Sequence, residues 1–337
     1  MQIKKLNKKA AVEIQFNWLY VAIAGFFILL VFFTVANGIR KSAEKQQEYE
    51  LLNYFDALLV GVQDLENSES NISLSNMQLK IDSAKTGNDQ CNYYTIGKNA
   101  IKKENKFIPI FSPETINSQL FTNTLAWYSP FKVTHFIYMT SSNHLYVYDD
   151  ENIKKNLPSN IKAKSLSNFQ NQNYDSIRFI FLNTDPLNYN LPNAIRNFKD
   201  SKITAVKINF DLNKITYYQK KGFSFEEKGS SNFYDKETLL AAIYSDNKEA
   251  YECNLKKAIT RLNKITKLLI KRAEKLSSSD LLQSCDKNQY LIAKSLLEQI
   301  EQITNDGEIS ENNFVSTKNQ LKELNTNLMK KSCPSIY

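Results

Sequence analysis

Residues 16–35, FNWLYVAIAGFFILLVFFTV, form a run of 20 uncharged, mostly apolar residues. An α-helix rises 1.5 Å per residue, so the run spans about 30 Å, the hydrocarbon thickness of a bilayer. Trp18 and Tyr20 stand near one end, where interfacial aromatics belong. A removable secretory signal has a shorter apolar core, so residues 16–36 read as an uncleaved membrane helix. Everything after such a helix must fold on one side of a membrane.

The flanking charges set the side. Lys4, Lys5, Lys8 and Lys9 precede the run, and Arg40, Lys41 and Lys45 follow it. The excess of basic residues on the first side points to a cytoplasmic N-terminus, residues 1–15, and an extracytoplasmic remainder. The cysteines agree. Cys91, Cys253, Cys285 and Cys333 all follow the helix, without CxxC spacing and with only 2 histidines in the 337-residue chain. That reads as two disulfides rather than a metal site, with four buried reduced thiols as the alternative, and disulfides persist in oxidising compartments. Asn71-Ile72-Ser73 is a glycosylation sequon, which makes Asn71 a candidate acceptor.

Lys8-Lys9-Ala10-Ala11-Val12-Glu13 stands just before the apolar run. This stretch resembles the class III signal of archaeal prepilins, with cleavage between Ala10 and Ala11. From residue 41 to 62 there is no proline, and Leu51, Phe55, Leu58, Leu59 and Val62 recur at three- and four-residue steps. The helix is therefore expected to continue as a stalk over 37–63. An apolar half followed by an amphipathic half is how pilin first helices are built, so the resemblance implies assembly into a filament. There are two departures. Glu13 would be the third residue of the mature chain, whereas many pilins carry glutamate at the fifth, and the head is large for a major pilin.

Beyond the stalk, residues 64–90 are polar and rich in Ser and Asn, which predicts a linker. The pattern then turns to strands. Residues 107–111 (FIPIF), 132–139 (KVTHFIYM), 145–148 (LYVY), 176–182 (SIRFIFL), 203–210 (ITAVKINF) and 214–219 (KITYYQ) are apolar or alternating. Ser141-Ser142-Asn143 and Asp211-Leu212-Asn213 predict hairpins, and 176–182 predicts a strand covered on both faces. A short helix is expected around 193–198. The remainder is helical, with Leu255, Ile259, Leu262, Ile265, Leu269 and Leu276 in one row, then Tyr290, Leu297 and Ile300, then Phe314, Leu321, Leu324 and Leu328. The expected fold class is α+β: a mixed α/β sandwich over 91–235, then an antiparallel helical subdomain over 236–337.

This layout constrains the cysteines. A helix from Cys253 to about residue 276 is about 35 Å long. Bridging its start to Cys285 would need a fully extended return. The next two helices descend and climb again, which brings Cys333 to Cys285. The expected pairs are Cys285–Cys333 and, by elimination, Cys91–Cys253.

No Walker A loop, GxGxxG, HExxH, GxSxG or EF-hand loop occurs. His135 falls in a strand pattern as a half-buried residue, and His144 falls in a turn. Asp149-Asp150-Glu151 offers carboxylates to a cation but reads first as the start of a short helix, and Asp185-Pro186, after a buried strand where α/β proteins place ligands, reads first as a turn. These patterns point to no catalytic residue, metal or cofactor. Residues 253–275 carry eight basic side chains against one acid, Glu274. Lys257, Arg261, Lys264, Lys267 and Lys271 share much of one helix face, partly neutralised by Glu298, Glu301, Glu308 and Glu311. The face reads either as a solvated surface or as a contact for an anionic surface such as a glycan, a lipid headgroup or extracellular DNA. No aromatics interleave with these cations, so nucleic acid is the weakest of the three.

Residues 12–18 (VEIQFNW), 110–116 (IFSPETI), 128–141 (YSPFKVTHFIYMTS), 176–181 (SIRFIF) and 242–263 (AIYSDNKEAYECNLKKAITRLN) resemble a family of single-pass membrane proteins of small-genome, DPANN-type archaea. The resemblance implies one N-terminal anchor and one extracytoplasmic domain. It brings no activity, so it places no site residue. The functional expectation is a non-enzymatic cell-surface protein that contacts the bilayer and binds a protein partner or assembles. A processed pilin-like subunit is the second reading, and a tethered hydrolase using a pocket near Asp185 is the third.

Overall fold

The computed structural model describes residues 8–61, 68–82, 93–97, 102–105, 107–169, 174–196, 198–279, 285–305, 307–309 and 313–337. The chain divides into two compact units, residues 1–53 and 54–337.

The first unit is helical. Helix α1 runs unbroken from Lys8 to Gly61, 54 residues, or about 80 Å. No proline interrupts it. It is the one helix among the described residues long and apolar enough to cross a membrane. Its apolar side chains are bare: Leu29 and Phe33 are each 70 % exposed. Monomeric soluble proteins rarely expose so large an apolar surface.

The last turns of α1 belong to the second unit, where Phe55 and Leu59 are buried. Two six-stranded sheets follow. The first comprises β1 (Glu69–Asp82), β2 (Tyr93–Ile96), β3 (Lys102–Glu104), β4 (Ile110–Phe111), β5 (Thr115–Tyr128) and β6 (Lys132–Ser141), in the order β3-β2-β1-β5-β6-β4. All its pairings are antiparallel except β4 with β6. The Phe55 ring meets the Tyr94 ring of β2 at 5.0 Å. Asp56 accepts from the Tyr94 hydroxyl at 2.9 Å and pairs with Lys103 at 2.6 Å, which fixes the end of α1 to β2 and β3.

The second sheet comprises β7 (His144–Tyr148), β8 (Ala163–Ser165), β9 (Ser176–Phe181), β10 (Ile203–Asn209), β11 (Lys214–Lys221) and β12 (Ser224–Asn232), in the order β12-β11-β10-β9-β7-β8. From β8 to β10 the strands are parallel; β11 and β12 complete the sheet as an antiparallel meander. Helix α2 (Glu151–Asn156) joins β7 to β8, with Asp150 as its N-cap.

Four corrections to the sequence reading follow. Residues 69–82 are a strand rather than part of a linker; their polar side chains alternate with buried Ile72, Leu74, Leu79 and Ile81. Residues 132–148 are not a hairpin: β6 and β7 belong to different sheets, and the turn at Ser142–Asn143 carries the chain between them. Every residue of β7 and all but the first of β6 are buried, so neither has the solvated face of a two-stranded ribbon. His144 is the buried first residue of β7 rather than a turn residue. The helix expected around 193–198 is a single 3-10 turn at Asn193–Ile195.

Helix α3 (Lys236–Tyr244) follows β12 and opens with a capping box between Asp235 and Thr238. Residues 238–244 are all buried, because both sheets pack on it. The Tyr138 hydroxyl of β6 donates to the Glu237 carbonyl at 2.9 Å, and the Tyr217 hydroxyl of β11 donates to the Ala242 carbonyl at 3.3 Å. The end of α3 is closed by Arg178 of β9. Its guanidinium donates to the carbonyls of Ala242 at 3.3 Å, Ser245 at 2.5 Å and Asp246 at 3.0 Å, and lies 5.5 Å over the Tyr217 ring. A cation there meets the negative end of the helix dipole and fills orphan acceptors.

Helices α4 (Lys248–Ser277), α5 (Lys287–Ile303) and α6 (Phe314–Lys330) complete the unit. Their apolar rows, including Leu255, Leu262, Leu297 and Leu321, share one core with Trp127, Phe136, Tyr146 and Val206 of the sheets. Along β9, Ile180 faces this core while Ile177, Phe179 and Phe181 face a second one, closed by Leu191 and Ile195. That alternation explains the continuous apolar run of this strand. Cys285 and Cys333 form a disulfide with a Cα–Cα distance of 5.8 Å, tying the start of α5 to the segment after α6. Cys253 is also disulfide-bonded; its expected partner, Cys91, lies outside the described residues.

Candidate binding cleft and a basic helix face

A cavity of about 560 Å³ opens between the end of β12 and the first half of α4. Its position follows from the sheet order. Strand β12 ends its sheet, so it has a strand neighbour on one side only. Ser230, Ser231 and Asn232 form one wall, Lys248 and Glu252 the other, and Gly307, Glu308 and Ile309 a third. Leu255 and Ile259 line its apolar part. Gly307 has φ +74°, and a Cβ there would stand 2.9 Å from the Lys256 side chain, so both backbone and space require glycine.

The electrostatics are mixed. Lys248 pairs with Glu252 at 3.6 Å, one helical turn away. Burial raises the Glu252 pKa, the Ser231 hydroxyl and Lys248 oppose that shift, and the Glu308 charge adds to it. Burial, with Glu308 and Glu252 nearby, pushes the Tyr234 hydroxyl up to about 12. Two carboxylates therefore act on one phenol in a half-open space. The volume, apolar patch and convergent hydroxyl, carboxylate and ammonium groups suit a small polar ligand or a short chain segment. Sequence reasoning missed this site. Gly229-Ser230-Ser231-Asn232 reads as a loop by composition, and the α4 residues carry no motif.

The acids at the strand ends serve the backbone. The Asp149 carboxylate accepts from the amides of Leu182 at 2.8 Å, Asn183 at 3.0 Å and Thr184 at 2.8 Å. Asp150 caps α2, and Asp185 caps the turn Pro186–Asn188. The two histidines are likewise internal. His144 lies 2.6 Å from the Ser176 hydroxyl, and burial, with the Arg178 and Lys202 charges, holds its pKa down to about 3. His135 is buried in β6. Among the described residues, no three His, Cys, Asp or Glu side chains cluster as metal ligands.

The basic face of α4 divides. Arg261, Lys264, Lys267 and Lys271 are exposed. Lys257 is half-buried instead; its ammonium donates to Asn254 Oδ1 at 3.0 Å, and burial lowers its pKa to about 7. Of the acids expected to neutralise the face, Glu301 stands 3.6 Å from Lys267. Glu298 pairs with Lys294 at 3.9 Å. Glu308 lines the cleft, and Glu311 lies outside the described residues. Asn71 is exposed on β1. Ala10 and Ala11 lie in the first turns of α1.

No family model, curated protein or solved structure matches this chain.

Proposed function

We propose that the chain is a non-enzymatic, membrane-anchored cell-surface protein whose head is extracytoplasmic and binds a partner. One observation carries this reading: a helix long and apolar enough to cross a membrane precedes a head in which Cys253, Cys285 and Cys333 are all disulfide-bonded. Disulfides form and persist in oxidising compartments and are rare in reducing ones, which supports a head on the oxidising side. The cleft between β12 and α4 supplies the head with a place to bind. Chemical crosslinking on intact cells, followed by mass spectrometry of the captured chain, tests this. The expected result is a chain that retains Lys4 to Lys9 and is linked to a surface component through the head. Recovery of the chain linked only to cytoplasmic proteins contradicts it.

A second reading has its own support. Helix α1 runs through both the apolar and the amphipathic halves without a break, the build of a pilin first helix. A mature chain starting at Ala11 that sediments as a polymer favours a filament subunit.

A further inference from the structure

We infer that the exposed face of α4 docks on an anionic lipid surface. Four cations on this face, Arg261, Lys264, Lys271 and Lys275, are exposed and make no ion pair with any described residue within 4.0 Å. At 100° per residue they fall within about 80° of one another around the helix axis and extend for about 21 Å along it. Leu268 lies in the middle of the same stripe, and it is 65 % exposed. The nearest acid in sequence, Glu274, lies on a different side of the helix and pairs with Lys294 of α5 at 3.2 Å.

Two features of the stripe choose the occupant. Four uncompensated cations in a row are complementary to a field of phosphates. An apolar side chain ringed by those cations suits a bilayer interface, where it enters the acyl boundary while the ammonium groups remain at headgroup level. A soluble polyanion would satisfy the cations and leave Leu268 in water. Each Lys or Arg near an anionic surface contributes about 1 kcal/mol, about fivefold in partitioning, so four together contribute several hundredfold. Burying Leu268 adds about tenfold.

The test uses the full chain held in phosphatidylcholine nanodiscs and mixed with sedimentable vesicles. Vesicles of phosphatidylcholine with 30 % phosphatidylglycerol, about the anionic load that gives a surface potential of tens of millivolts, are compared with pure phosphatidylcholine. The chain should pellet with the anionic vesicles only. The R261Q/K264Q/K271Q/K275Q variant should lose more than a hundredfold in partitioning, and Leu268→Ser about tenfold, both with unchanged thermal unfolding. Four results overturn the inference: no pelleting, equal pelleting with both vesicles, a quadruple variant that partitions like wild type, or an unaffected Leu268→Ser. In the last case, equally tight binding to dextran sulfate would assign the face to a soluble polyanion. The assay uses purified protein, so it stands or falls apart from the surface topology proposed above.

Discussion

Replacing Arg178 by methionine should be among the most damaging single changes in the head. The guanidinium is 1 % exposed and donates to three carbonyls at the end of α3. Methionine fills much of the same space and donates nothing. Each buried acceptor left without a donor costs about 1–3 kcal/mol, so three give about 3–9 kcal/mol. Part of that is returned, because burying a guanidinium is itself unfavourable and Arg178 Nε is buried without a hydrogen-bond partner. With that return the net loss falls in the lower half of the range, about 3–5 kcal/mol. A unit spanning residues 54–337 should unfold with about 0.6 kcal/mol/K of entropy, so the melting temperature should fall by about 5–8 °C. The chain has 2 tryptophans. Trp18 is in the apolar part of α1 and Trp127 is fully buried in the head, so the change in tryptophan emission on heating the full chain in micelles reports the head. Arg178→Lys should fall between, since one ammonium cannot fork to three acceptors in the same geometry. An Arg178→Met variant that melts within about 1 °C of wild type would refute the capping argument.

Further outcomes follow from the same structure. The Cys285–Cys333 bridge closes a 48-residue separation, so the C285S/C333S variant should lose about 4 kcal/mol, read as a lower urea midpoint; an unchanged midpoint would count against it. His144 has a folded pKa near 3 against an ordinary 6.5. The unfolded chain therefore takes up this proton first. The contribution of neutral His144 is complete above about pH 6.5 and is lost as pH falls toward 3, by up to about 1.4 kcal/mol per pH unit. Subtracting the His144→Asn profile between pH 6.5 and 4 should isolate that slope, because carboxylate effects common to both proteins cancel; parallel profiles would sink the argument. Asp149→Ala strips the acceptor from three backbone amides and should cost about 2–4 kcal/mol in the same urea assay, whereas a near-neutral result would mean that water replaces the carboxylate.

What the sequence makes legible follows its periodicities. Helix α1 and the rows of α4, α5 and α6 stand out because apolar side chains recur at helical spacing over many turns without proline. The Cys285–Cys333 pair follows from those helix lengths. Strands β1 and β5 stay hidden. Each is 14 residues long, but Ser, Asn, Gln and Thr fill their solvated rows, and such composition reads as loop until a partner strand is in place. Helix α3 has no period because it is apolar all round between two sheets. The turn at Ser142–Asn143 looks like a hairpin locally, and only the parallel partners of β7 show that the chain changes sheets. Nothing in SIRFIF marks Arg178 as a cap, since its acceptors lie more than 60 residues away. The cleft was illegible for the same reason: β12, α4 and residues 307–309 meet only in space.

The side of the membrane on which the head folds decides the proposed function, and labelling intact cells with a membrane-impermeant amine reagent measures it. Peptide mapping should find Lys154 of α2 and Lys322 of α6, both exposed and away from the α4 face, modified in intact cells, and Lys4 and Lys5 modified only after lysis. The reverse pattern, with the head protected until lysis, would place it in the cytoplasm and contradict the account.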